Sequence, residues 1–152
     1  MFRNLLSRLL DPAPPAALSA QDAEVAIAAL LVRIARADDH YGDAEKLRID
    51  QVLARRRGLD TAAAAERRAA AEMIEAEAPD TVRFTRTIKE RIDLADRHDV
   101  LGAMWEVAYA DGQRSADEEA LVRLVAGLLG INDRDSGLAR QRALDGMGLS
   151  ET

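Results

Sequence analysis

The chain contains no cysteine. Disulfides and thiolate metal sites are thereby excluded, and the composition suits a reducing, cytoplasmic setting. Aromatic residues amount to only 3% of the sequence against 48% hydrophobic, so any core must be built from Ala, Leu, Val and Ile. No apolar run approaches the ~20 residues of a membrane span; Arg33 and Arg36 interrupt the longest one. Basic residues are in deficit. The net charge of −6 argues against nucleic acid as a partner, because phosphate binding needs a cationic face. The run Arg55-Arg56-Arg57 reads as helix C-terminal charge that suits the macrodipole. Period-two runs of β-branched residues are absent, which leaves an all-α fold. Also missing are a Ser/His/Asp order, a glycine-rich phosphate loop and a His-x-x-x-His pair. The expectation is a protein that is not an enzyme.

What the sequence has is alanine, leucine, arginine and glutamate, all strong helix formers. At 152 residues it is the length of one domain. Residues 1–18 read as an amphipathic segment and a stiff Pro-rich linker. Phe2, Leu5, Leu6, Leu9 and Leu10 share one helical stripe, and Asp11-Pro12-Ala13-Pro14-Pro15 stops any helix. That segment either folds back on the domain or makes peripheral contact with a membrane or an unidentified protein partner. Residues 19–145 form the helical domain, and 146–152 read as a flexible tail.

Helical periodicity and end signals divide the domain further. Helix one runs from an N-cap at Ser19 to about Ala37 and is apolar over most of its girth. Helix two covers Asp43 to Arg57, burying Leu47, Ile49, Val52 and Leu53, and ends at Gly58. An alanine-rich third helix follows from Ala62 to Ala76, with Met73 and Ile74 for bulk, closed by Pro79. Asp80 caps a fourth helix that turns Val82, Phe84, Ile88 and Ile92 inward. The fifth spans Asp96 to Ala110. The sixth opens at Ser115 and buries Leu121, Val122, Leu124, Val125, Leu128 and Leu129. The seventh runs from Asn132 or Asp133 to Leu144.

One stretch occurs twice. Ala35-Arg36-Ala37-Asp38-Asp39-His40-Tyr41-Gly42-Asp43-Ala44-Glu45 is matched by Ala108-Tyr109-Ala110-Asp111-Gly112-Gln113-Arg114-Ser115-Ala116-Asp117-Glu118. At the same offset Leu31 falls on Met104, Ile34 on Val107, Ile49 on Val122 and Val52 on Val125. A fixed offset is the mark of an internal repeat. The expected architecture is a compact bundle of about seven helices built from two pseudo-symmetric helix-loop-helix units.

Asp38 and Asp111 each end a helix, and Glu45 and Glu118 each begin the next. Brought together about a pseudo-twofold, these four carboxylates are candidate metal ligands for a hard divalent cation, Ca²⁺, Mg²⁺ or Mn²⁺. Asp39 and His40 lie in the first loop as outer candidates. The other reading is purely structural: Glu118 closes a capping box with Ser115, Glu45 bonds the Gly42 N–H, and the aspartates bond their own turns. On that reading the chain is an interaction module with acidic helix punctuation. Glu106, Asp117 and Glu119 read as solvated faces, His98 as a surface residue, and Trp105 and Tyr109 as core.

These residues also resemble a known family. Ala37-Asp38 with Glu45, and Trp105-Glu106-Val107-Ala108-Tyr109-Ala110-Asp111-Gly112 with Glu118, are similar to the motifs of the tellurite-resistance TerB and TerB-like proteins. The likeness covers Ser19 to Leu144. Asp39 stands where that family usually has glycine. The resemblance implies a compact all-helical domain, an acidic cation site and a link to tellurite or other stress responses.

Overall fold

The structure is a computed structural model, and it describes residues 20–77 and 80–149. The expectations for Met1–Leu10, the Pro-rich linker, the Ser19 cap and Pro79 fall outside the described residues. Seven helices make up the fold among the described residues: α1 (Ala20–Ala35), α2 (Asp43–Arg57), α3 (Thr61–Glu77), α4 (Thr81–Arg91), α5 (Leu94–Ala108), α6 (Ala116–Leu128) and α7 (Asp133–Gly146). None of them is long and apolar enough to cross a membrane.

Helix α1 is the axle. Ala23, Ile27, Leu30, Leu31 and Ile34 are fully buried, as a helix apolar over most of its girth requires. It packs on α3 and α4 most extensively and also on α5, α2 and α6. Small side chains permit the α3 contact: Ala64 and Ala71 are buried in it. Two arginines of the α1 end then fasten it. Arg33 Nε donates to Glu75 Oε2 at 3.1 Å and Arg36 Nη1 to Glu75 Oε1 at 2.6 Å. Arg33 also lies over the Phe84 ring of α4, 5.3 Å from its centroid.

Capping residues set the other ends. Asp80 accepts the Arg83 N–H at 2.9 Å, and Asn132 accepts the Asp135 N–H at 2.8 Å. Gly58 ends α2 in the left-handed conformation, φ 63°. Helix α5 begins two residues earlier than the apolar pattern suggests. Asp93 is its N-cap and accepts the Asp96 N–H at 2.9 Å, so Asp96 is inside the first turn. After α7 the chain does not leave the domain at once: Leu149 N–H donates to the Leu144 carbonyl at 2.7 Å, and Met147 and Leu149 pack on the core.

Four expected core residues face water instead. Leu47 is 56% exposed, Met73 59%, Val82 44% and Leu124 56%. Each points away from the buried face of its helix: Leu47 lies two residues from both Glu45 and Ile49, and Leu124 two residues from Val122, and Glu45, Ile49 and Val122 are all buried. The aromatic expectation holds: Trp105 and Tyr109 are buried and stacked, with centroids 5.9 Å apart.

Candidate metal centre

Both acidic loops are built on the same local device. In the first, Asp38 Oδ1 accepts the His40 backbone N–H at 2.9 Å. In the second, Asp111 Oδ1 accepts the Gln113 N–H at the same distance. Each is an aspartate closing a turn onto the residue two positions on. Asp39 carries φ 64°, the conformation that Gly112 adopts freely at φ 78°; aspartate is among the few side chains that accept it. The His40 ring Nδ1 pairs with the Asp38 carbonyl oxygen at 2.9 Å rather than with its carboxylate.

The next helices then start in register, α2 after Gly42 and α6 after Ser115. Glu45 Oε1 accepts the Gly42 N–H at 2.9 Å, as the capping reading anticipates. At the second loop Ser115 Oγ accepts the Glu118 N–H at 3.2 Å. The Glu118 carboxylate does not return the bond to close a capping box. It turns toward the first loop instead, and its Oε1 has no hydrogen-bond partner.

The loops meet there. Asp38, Glu45 and Glu118 each offer an oxygen, all within 4.8 Å of one another. Glu45 is 3% exposed and Glu118 1%, while Asp38 is half-buried. Asp111 is exposed and stands outside this group of three, though its charge reaches Glu45. Asp39 and His40 are exposed as well.

Electrostatics follow from that placement. Burial pushes the Glu118 carboxyl far above the ordinary carboxylate range, and the negative charges of Glu45 and Asp38 add to it. Glu45 is raised too, by burial first, then by the nearby charges of Asp38 and Asp111, with the Gly42 N–H and the Glu118 carboxyl working the other way. Asp38 carries the opposite sign. Burial opposes its charge, but the His40 N–H together with the Glu118 and Ser115 side chains outweighs it and lowers its pKa. No arginine or lysine among the described residues pairs with these three carboxylates.

The surrounding side chains tie both loops to neighbouring elements. Tyr41 lies between Arg36 and Lys46, 5.0 and 5.1 Å from its ring centroid, and its hydroxyl donates to Glu72. Tyr109 does the corresponding task for the second loop. Its hydroxyl donates to Glu119, Arg114 bonds the same carboxylate at 3.0 Å, and Arg140 Nε donates to the Tyr109 oxygen at 2.8 Å. Glu119 is thus buried and tied down, not a solvated face. Of its partners only Arg114 is near in sequence, whereas Arg140 arrives from α7.

Three carboxylates so close form a donor set for a hard cation. Two oxygens on opposite sides of Ca²⁺, each at roughly 2.4 Å, stand about 4.8 Å apart. The aspartate-to-glutamate interval is shorter than the ~12-residue loop of an EF-hand.

No curated protein and no solved structure matches the chain significantly. A family model does, the one described as tellurite resistance protein TerB; it matches residues 24–141, most of the chain and both loops, and the chain therefore belongs to the TerB family.

Proposed function

We propose that this protein is a non-catalytic TerB-family domain that binds one divalent cation between its two acidic loops. The proposal places it in the cytoplasmic response to tellurite and metal stress. Asp38, Glu45 and Glu118 are the direct ligands. Asp111, exposed beside them, acts through bound water. The observation that carries the reading is Glu118: 1% exposed, with an unpartnered Oε1, facing two more carboxylates. A buried carboxylate left in that position costs several kcal/mol unless a cation or a proton neutralises it. The family name supports the biological setting.

The competing occupant is a proton. With Glu118 simply protonated, the loops are helix punctuation, and the protein works as an interaction module. The Glu45 bond to Gly42 N–H fits that reading equally well. Terbium luminescence separates the two. Tb³⁺ takes the oxygen ligands of Ca²⁺, and Trp105 is the chain's only tryptophan. The cation reading expects sensitised emission that saturates at one ion per chain, that Ca²⁺ or Mn²⁺ displaces, and that vanishes in Asp38→Asn/Glu118→Gln. Emission unaltered by that double substitution, or none at millimolar Tb³⁺, assigns the cluster to the proton.

A further inference from the structure

A second charged site, on residues separate from the acidic loops, lies where α2, α5 and α7 meet. An open cleft of about 920 Å³ runs between them. Its cations come from two helices. Arg48 and Arg55, seven residues apart on α2, line one part of it, and Arg142 of α7 lines another.

The pairing of these arginines is uneven. Arg56 is saturated: it gives two bonds to Glu24, at 3.1 and 2.7 Å, and two to Asp96, at 3.3 and 3.4 Å. Arg48 and Arg55 must share a single carboxylate, Glu106, at 3.4 and 2.9 Å. One negative charge there faces two positive ones. Glu106 is therefore not a solvated face. It holds both guanidiniums in place while leaving most of their donors unused, since each carries five N–H groups. The Arg55 side chain is 58% exposed, so those donors open to the cleft. Arg142 makes no hydrogen bond or ion pair with any described residue. His98 also lines the cleft and is half-buried, against the expectation of a plain surface residue.

Small residues line the space between the charges. Gly102 and Ala103 of α5 and Ala139 and Ala143 of α7 border it. Gly102 is partly open, while Ala103, Ala139 and Ala143 are 3%, 3% and 8% exposed and form a close-packed apolar wall, so the side chains there offer a ligand no competing hydrogen bonds. Asp99 stands at the same cleft and disfavours an extended polyanion, such as nucleic acid. A compact head group suits this balance.

We infer that the cleft binds a small organic oxyanion, its head group between Arg55 and Arg142 and its nonpolar body against the Gly102–Ala103 and Ala139–Ala143 surfaces. Guanidinium groups are the natural receptors for such heads, because their paired N–H groups match two oxygens of a phosphate or carboxylate.

Phenyl phosphate and benzoate are the probes, titrated separately into the full chain and followed by amide NMR shifts. The inference expects a saturable shift at Gly102 and Gly146 with at least one of them. Tighter binding of phenyl phosphate assigns a phosphomonoester as the ligand class, and tighter binding of benzoate assigns a carboxylate. Arg142→Ala breaks no hydrogen bond or ion pair with any described residue, and it should weaken binding by about tenfold. Arg55→Ala should do likewise, while Glu118→Gln should leave it unchanged. Absence of saturation up to about 10 mM with both probes, which is weaker than a charge-assisted site allows, overturns the inference. So does full-strength binding by Arg142→Ala.

Discussion

Replacing Glu118 with glutamine separates the charge of this side chain from its shape. The amide has nearly the volume of a protonated carboxyl and can still donate to Asp38 or Glu45. Glu118 and Glu45 are both raised, by burial first and then by neighbouring carboxylate charge, that of Glu45 and Asp38 at Glu118 and that of Asp38 and Asp111 at Glu45, so the metal-free folded chain holds more protons than the unfolded chain. That stabilisation is complete below the ordinary carboxylate pKa and is lost as pH rises through the folded values. Asp38, Glu72 and Glu119 are shifted down; their contribution is present above the ordinary carboxylate range and disappears only as pH falls through their folded values. The two windows do not overlap near neutrality. One excess proton corresponds to about 1.4 kcal/mol per pH unit. Between about pH 6 and pH 8 the metal-free protein should therefore lose up to roughly 2.7 kcal/mol. For a domain of this size that is a fall in melting temperature of about 5–10 °C. The measurement is thermal unfolding by circular dichroism in chelator at several pH values. Glu118→Gln should flatten the slope by half or more and cost little at pH 6. A variant with the wild-type slope would show that Glu118 is not the group being titrated, and the electrostatic account of the cluster would fail.

Further outcomes follow from single contacts. Phe84 is 1% exposed and lies beneath Arg33, so Phe84→Ala should cost about 3–5 kcal/mol in urea unfolding; a loss below ~1 kcal/mol would mean the α1–α4 contact is not core. Tyr109→Phe removes the hydroxyl that joins Glu119 to Arg140 and should cost about 1–3 kcal/mol, checked in the same assay. Asp39 has φ 64° and is exposed, so Asp39→Gly should stabilise by about 0.5–1 kcal/mol through relief of that conformation. Destabilisation there would mean that the Asp39 side chain makes an interaction of its own.

Much of this architecture is legible in the chain because its signals are local. Asp80, Ser115 and Asn132 announce helix starts, and Gly58 and Gly112 announce helix ends, through bonds that span three or four residues. Helix α1 betrays its central place by being apolar over most of its girth. The repeat at fixed offset brings the Asp38 loop toward the Glu118 loop on paper, and the structure places Asp38, Glu45 and Glu118 together. What the repeat hides is its own inequality. Asp38 and Asp111 make the same turn, yet only Asp38 enters the cluster, and the side chains packed around the two loops differ. Arg36, Tyr41 and Lys46 clamp one loop by ring contacts, whereas Tyr109, Arg114 and Glu119 clamp the other by hydrogen bonds. Leu47 and Leu124 stand in water because each lies on the far side of its helix from the buried residues, Ile49 and Val52 in one and Val122 and Val125 in the other. Glu106 reads as solvated because its partners Arg48 and Arg55 come from α2; Glu119 has one near partner, Arg114, but its burial depends on Tyr109 and on Arg140 of α7.

Isothermal titration calorimetry with Ca²⁺ and Mn²⁺ near pH 7, in two buffers of different ionisation enthalpy, tests the cation site most directly. A protonated Glu118 must give up its proton when a divalent ion enters. The account predicts one ion per chain, about one proton released, and loss of both signals in Glu118→Gln. Binding without proton release, or no binding at millimolar ion, would contradict it.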